Sequence, residues 1–180
     1  MRRSAGRISD LVQDLMDLAR GQLGTGMRVV PVFCPDLSER LAHIVDEVRA
    51  AHPGSLLDFE CHLPKPVWCD PDRIVQAAAN LLANAVTHGS RGKLITVKAG
   101  MSEDEFRFET SNKGPRLAPA EIARLFQPYF RPTTSTAGGG LGLGLYIVSE
   151  IAKAHHGTAS ATTQSAEITF TVRIPREPAA

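Results

Sequence analysis

Residues 71–88 constrain this chain more than any other stretch. Asp70 followed by Pro71 is an N-cap and a favoured first-turn proline, and the predicted helix runs to about His88. Ile74, Ala77, Ala78, Leu81, Leu82, Ala85 and Val86 make it apolar on most faces, so it must be largely buried. Gln76, Asn80, Asn84 and His88 nonetheless recur every four residues, along one slowly drifting line. A buried amide without a partner costs about 1–3 kcal/mol, so something polar must sit against that line. The stripe either borders solvent and neighbouring loops or faces a ligand. Neutral amide oxygens suit Mg²⁺ when phosphates supply the negative charge, which makes a nucleotide-magnesium site the sharper expectation.

A second feature points the same way. Gly138, Gly139, Gly140, Gly142 and Gly144 punctuate the entry to a helical pattern that spans Leu141 to His155. An interior helical glycine costs about 1 kcal/mol relative to alanine. Glycines there let backbone approach a ligand, and the free amides of a helix start suit phosphate oxygens. The alternative is a flexible linker with a loose helix start. No Gly-Lys-Ser or Gly-Lys-Thr follows the glycines, so this is not a P-loop, and no strand-turn-helix unit frames a dinucleotide fingerprint. The preceding run, residues 132–140, has no side chains able to hold a fold and reads as a lid over nucleotide.

The remaining elements alternate. Ile8, Leu11, Leu15 and Leu18 form a short seam at steps of three and four, either a coiled coil or a helix lying on its own domain. Strands are predicted at Met27–Phe33, Leu56–His62, Pro66–Cys69, Leu94–Ala99, Glu105–Thr110, Thr158–Thr162 and Ile168–Ile174. Asp36 with Glu39 makes a capping box for a helix to about Ala51, Pro119–Phe126 is a short helix, and Gly157 caps the last one. Neighbouring strands are close enough to pair antiparallel, and an α+β two-layer sandwich is the natural architecture. The expected division is an arm and linker over 1–26, one domain over 27–176 and a loose tail over 177–180.

Composition excludes several classes. A formal net charge of +1 gives no push toward nucleic acid or membrane. No run approaches the ~18 apolar residues of a membrane span, so direct insertion of this chain is not expected. Cys34, Cys61 and Cys69 lack metal-ligand spacing and are odd in number, which fits a reducing cytoplasm.

Four segments in order now become recognisable. Asn-Leu-Leu-Ala-Asn-Ala at 80–85, Asn-Lys-Gly-Pro at 112–115, Leu-Phe-Gln-Pro-Tyr-Phe-Arg at 125–131 and Gly-Leu-Gly-Leu-Gly-Leu-Tyr-Ile at 140–147 resemble the N, G1, F and G2 boxes of sensor histidine kinases. The arm from Ile8 resembles the second helix of that family's dimerisation domain. The resemblance implies a Bergerat ATP-binding fold, with a mixed sheet backed by helices and a helical arm. It implies ATP and Mg²⁺ as cofactors, with Asn84 on Mg²⁺, Asn80 beside it near the triphosphate, and His88 at the same site. Asn112 would take the adenine amino group and Gly114 would let the base approach. Gly140, Leu141, Gly142, Leu143 and Gly144 would line the phosphates. Arg131 is either a phosphate contact or a surface arginine. Asn80 and Asn84 would be the catalytic pair, and Asn80 stands where hydrolytic relatives place a glutamate base, which a phosphotransferase does not need.

The chain also departs from that pattern. Thr87 precedes His88 where a lysine is usual, Arg116 replaces a glycine, and Glu167-Ile168 stands where Gly-Thr is usual. None of the six histidines sits in a phosphoacceptor-like setting, so the acceptor histidine must come from outside these residues; His155-His156-Gly157 is assigned a packing role. The implied function is γ-phosphoryl transfer from Mg-ATP to a histidine on a dimerisation helix. The implied partners are a phosphoacceptor domain, a response regulator and a second copy through the arm, in a cytoplasmic setting that allows a membrane-anchored parent. Two rivals remain at this stage, a nucleotide-sensing scaffold acting through its arm and a serine kinase of the anti-sigma type.

Overall fold

The computed structural model describes Met16, Leu18 and residues 26–114, 116–132 and 141–176. Its elements are β1 (Val32–Cys34), α1 (Leu37–Ala51), β2 (Leu56–His62), β3 (Val67–Cys69), α2 (Pro71–His88), β4 (Leu94–Met101), β5 (Glu105–Lys113), α3 (Pro119–Ile122), α4 (Gly144–Ala154), β6 (Thr158–Gln164) and β7 (Glu167–Pro175). A five-stranded sheet runs β2-β4-β5-β7-β6, and β1 pairs with β3 separately. β2 and β4 are parallel while the other neighbours in the large sheet are antiparallel. The sheet is mixed, as the resemblance implies: β3 and α2 intervene between β2 and β4 and carry the chain back, so that pair runs parallel.

The helices cover one face. α1 buries Leu37, Leu41 and Val45, α2 buries Ile74, Ala77, Ala78, Leu81, Leu82 and Ala85, and α4 buries Ile147, Val148, Ile151 and Ala152. The sheet answers with Ile95, Val97 and Ala99, with Phe106 and Phe108, and with Ile168, Phe170, Val172 and Ile174. Each such large side chain contributes about 1.5–3 kcal/mol by leaving water. The opposite face is charged: Lys98 pairs with Glu60 at 2.9 Å, and Arg107 and Arg173 converge on Glu105 at 3.0 and 3.4 Å. This is the expected two-layer α+β sandwich with a mixed sheet.

Several local expectations shift. β1 starts at Val32 rather than Met27, because its only partner, β3, offers three residues and Pro31 has no amide to pair. Asp36 precedes α1 but makes no capping bond: its carboxylate accepts from Arg40 Nε at 2.9 Å and from Cys34 Sγ at 3.1 Å. α3 closes at Ile122, and α4 begins at Gly144 because Gly142, at φ +70°, is left-handed and interrupts the pattern from Leu141. At the far end of α4 the left-handed residue is His156, at φ 59°, not Gly157. Gly157 is required for another reason: a Cβ there would run into the Arg173 carbonyl oxygen. The seam from Ile8 and the tail over 177–180 lie outside the described residues, apart from Met16 and the buried Leu18, both helical.

One junction ties three segments. Asp70 Oδ1 caps α2 by accepting the Arg73 amide at 3.2 Å, Oδ2 accepts the Val30 amide at 2.9 Å, and the Asp70 amide donates to His155 Nε2 at 3.0 Å. His155 Nδ1 lies 2.8 Å from the Ile151 carbonyl and therefore carries the proton. His155 thus packs as expected, in a neutral form that alone can accept at Nε2. Burial pushes its pKa down, opposed by the Ile151 bond and the Asp70 charge and reinforced by His156.

A second buried polar group lies on β5. Thr110 is fully buried between its register neighbours Val97 and Phe170, and its hydroxyl has no partner among the described residues.

Two outcomes are expected. An unfolded histidine titrates near about 6.5, so the unfolded chain takes up a proton that folded His155 resists. Its contribution is complete above that pH and is lost as pH falls through it, and urea unfolding across this range should show a shallower pH slope in His155→Gln than in the wild type. Thr110→Val, which removes an unpaired hydroxyl, should raise the unfolding free energy by about 1 kcal/mol in the absence of nucleotide; a loss of stability would mean that the hydroxyl is bonded.

Candidate functional site

The four polar residues of α2 separate in the structure. Gln76 Oε1 accepts from the Arg73 guanidinium at 2.8 Å, so it belongs to the helix surface near the N-terminus. Asn80 lies where α2 meets the start of α4: a Cβ on Gly144 would stand 3.4 Å from its Oδ1. Its Nδ2 is buried and has no partner among the described residues. Asn84, one turn on, is half-buried. His88 ends the helix, and partial burial first, then the Arg131 charge, lower its pKa. Arg131 is itself exposed.

The end of β5 closes against the same end of α2. The Ser90 amide donates to the Lys113 carbonyl at 2.7 Å, and a Cβ on Gly114 would stand 3.2 Å from the His88 carbonyl and 3.5 Å from Asn112 Nδ2. Asn112 is 2% exposed on the inward face of β5. Its Nδ2 reaches only the Lys113 carbonyl, at 3.4 Å, and its buried Oδ1 has no partner among the described residues. An acceptor in that state costs about 1–3 kcal/mol unless a donor arrives.

The start of α4 supplies backbone. The first intrahelical bond runs from the Ile147 amide to the Leu143 carbonyl, so the amides of residues 144–146 precede it as donors of the kind that bind anions. The Gly142 carbonyl accepts from the Tyr129 amide at 3.0 Å, and a Cβ on Gly142 would press on the Tyr129 and Phe130 backbone at 3.2 Å. The 125–131 segment is held by buried Leu125, by Phe126 edge-on to Phe170, and by Arg124 over the Phe130 ring. Tyr129 adopts φ 62°, a conformation that a non-glycine residue takes only under constraint.

One seam runs along α2: Asn80 meets Gly144 at the start of α4, His88 meets Gly114 beside Asn112 at the end of β5, and Asn84 lies one helical turn from both Asn80 and His88. Leu143 is in the core, 2% exposed, so only its backbone can face a ligand, and the Leu141 side chain is exposed. Gly140 lies outside the described residues. Sequence reasoning missed Thr110 and Gly89. Thr110 follows from the inward alternation Phe106, Phe108, Thr110, Asn112. Gly89 packs close to Ala85 and Asn112, and only its place after His88 hinted at that. An open cleft of about 470 Å³ lined by Glu60, His62, Lys98 and Arg107 lies on the outer sheet face and contains none of the seam residues.

Residues 69–178 match the family of histidine kinase-, DNA gyrase B- and HSP90-like ATPases. A bacteriophytochrome of Pseudomonas aeruginosa is 36% identical over 96% of this chain, and the probable sensor histidine kinase TcrY of Mycobacterium tuberculosis is 32% identical over 94%. The chain spans 24% and 36% of the length of these two relatives. Among solved structures, the Acinetobacter baumannii histidine kinase AdeS superposes with a TM-score of 0.74 at 22% identity, over 98% of this chain and 82% of that one. The mycobacterial sensor histidine kinase MprB gives 0.71 at 22%, over 83% of this chain and all of that one. The fold, the ordered boxes and the matched residues agree: the chain belongs to the histidine kinase-, DNA gyrase B- and HSP90-like ATPase family, as the ATPase domain of the sensor-kinase type.

Proposed function

We propose that this chain positions Mg-ATP for transfer of the γ-phosphoryl group to a histidine supplied from outside the chain. The observation that carries the reading is Asn112, a buried amide at the end of β5 whose oxygen has no donor among the described residues. The adenine amino group is the donor that suits it, and the small residues Gly89 and Gly114 flank it closely. The triphosphate would then extend along the α2 line toward the start of α4. There Asn80 Nδ2, also buried and unpaired, and the amides that precede the first bond of α4 offer donors to phosphate oxygens. Arg131 supplies a permanent positive charge whose effect, after that of burial, is to lower the His88 pKa.

Among the described residues no cluster of three or more His, Cys, Asp or Glu could hold a metal ion unaided. A neutral ligand such as Asn84 beside phosphate oxygens fits a divalent ion that arrives with its nucleotide. When bound, Mg²⁺ would neutralise phosphate charge, and the role of Asn84 is to hold it. Catalysis of this kind is mostly placement and electrostatic stabilisation. With an asparagine at 80 no carboxylate is present there to activate water, which favours phosphotransfer over hydrolysis. The acceptor domain, a response regulator, dimerisation through residues 1–26 and a cytoplasmic setting belong to this reading. Among the described residues no helix is long and apolar enough to cross a membrane.

Calorimetry tests it. Mg-ATP should bind the wild-type chain, chelation of Mg²⁺ should weaken binding, and Asn84→Ala should reduce Mg-ATP affinity by about tenfold or more while leaving the fold intact. A well-folded chain that binds no nucleotide at millimolar concentration would leave the scaffold reading in place.

A further inference from the structure

We infer that the base end of this site accepts purines carrying either a 6-amino or a 6-oxo group. The inference rests on the reading above, in which Asn112 meets the base, and it deepens it by naming the substrate class. A carboxylate at position 112 would only accept hydrogen bonds and would select a 6-amino donor. A carboxamide carries an acceptor and a donor on one planar group, and a half-turn about its last torsion exchanges them at nearly the same place. The fold holds the Asn112 amide weakly, through one long bond that a half-turn would give up. Its oxygen has no partner among the described residues, and its nitrogen makes one contact, at 3.4 Å, to the Lys113 carbonyl.

The surroundings impose no polarity either. In register, Asn112 lies between Ile95 and Ile168, and the next inward residue, Thr110, lies between Val97 and Phe170. Both polar residues are thus flanked on the sheet by apolar ones. Thr110 is fully buried with an unpaired hydroxyl, about 6–7 Å along the strand from Asn112, within reach of a ring edge directly or through one water. A hydroxyl reverses its polarity by rotation. It can donate to the bare N1 of a 6-aminopurine or accept from the N1–H of a 6-oxopurine. The floor therefore offers two groups that match either base, each by a single rotation. Strong rejection of an analogue arises where a good hydrogen bond to a buried polar group is lost, and a 6-oxo base gives up here only the 3.4 Å Lys113 contact, with Asn112 Oδ1 left as it is in the free chain.

Calorimetry on the full chain with Mg-ATP and Mg-ITP decides the matter, ITP being the 6-oxo probe without an added 2-amino group. The wild type should bind the two within about tenfold of each other, and Asn112→Asp should weaken ITP relative to ATP by about 100-fold, because the carboxylate faces the 6-oxo group with no donor. Thr110→Val should weaken both nucleotides by a similar factor of about 3–10. A wild type that binds ATP but discriminates against ITP by more than about 100-fold overturns the inference, whatever the variants do. So does an Asn112→Asp chain with an unchanged ATP to ITP ratio. Failure of the folded wild type to bind either triphosphate removes the nucleotide site itself, a result distinct from selectivity for ATP.

Discussion

Three buried polar atoms without partners among the described residues dominate the physics of this domain: Asn80 Nδ2, Thr110 Oγ1 and Asn112 Oδ1. Each costs about 1–3 kcal/mol, a sum comparable to much of the net stability of a small domain. They are not scattered. Asn112 and Thr110 share the inward face of β5, and Asn80 faces the start of α4 across the same helix-covered side of the sheet. An apolar interface that keeps such groups together retains the means to hydrogen-bond a ligand at the expense of its own stability. The rest of the structure offsets that cost. α2 contributes six buried apolar side chains and β7 four, and Asp70 with His155 fixes the start of α2 against the end of α4.

Much of this could be read from the residues alone, because the informative signals were local. Asp70-Pro71 and the apolar pattern after it define α2 to its last residue, His88, and the period-2 alternation in β2 sets both its ends. Misses arose where a partner decided the outcome. Asp36 has the right spacing for a capping box, but Arg40 and Cys34 compete for its carboxylate. Met27–Pro31 is as apolar as a strand, yet three residues of β3 are all the pairing available. The parallel β2–β4 pair and the role of Gly157 beneath Arg173 are matters of tertiary contact, invisible to a local pattern.

The candidate site shows the same division. The four-residue recurrence on α2 includes Asn80, which meets Gly144 at the start of α4, but also Gln76, which bonds within its own helix turn to Arg73. The glycines before α4 marked a close backbone approach, and Gly142 makes it, against Tyr129 and Phe130, while Leu143 turns its side chain into the core. Thr110 escaped notice because a threonine in a strand is ordinary; only its alternation with Phe106, Phe108 and Asn112 places it inside. Asn80 and Asn112 are both neutral, so neither brings a charge of its own to the candidate site.

The central claim is that nucleotide binds along the Asn80, Asn84 and Asn112 side chains rather than elsewhere on the molecule. The most direct measurement is a Mg-ATP titration followed through the side-chain amide resonances of these three residues by NMR. The account predicts that all three shift in step with occupancy. Static amides at 80, 84 and 112, with movement confined to the outer-face cleft near Lys98 and Arg107, would contradict it.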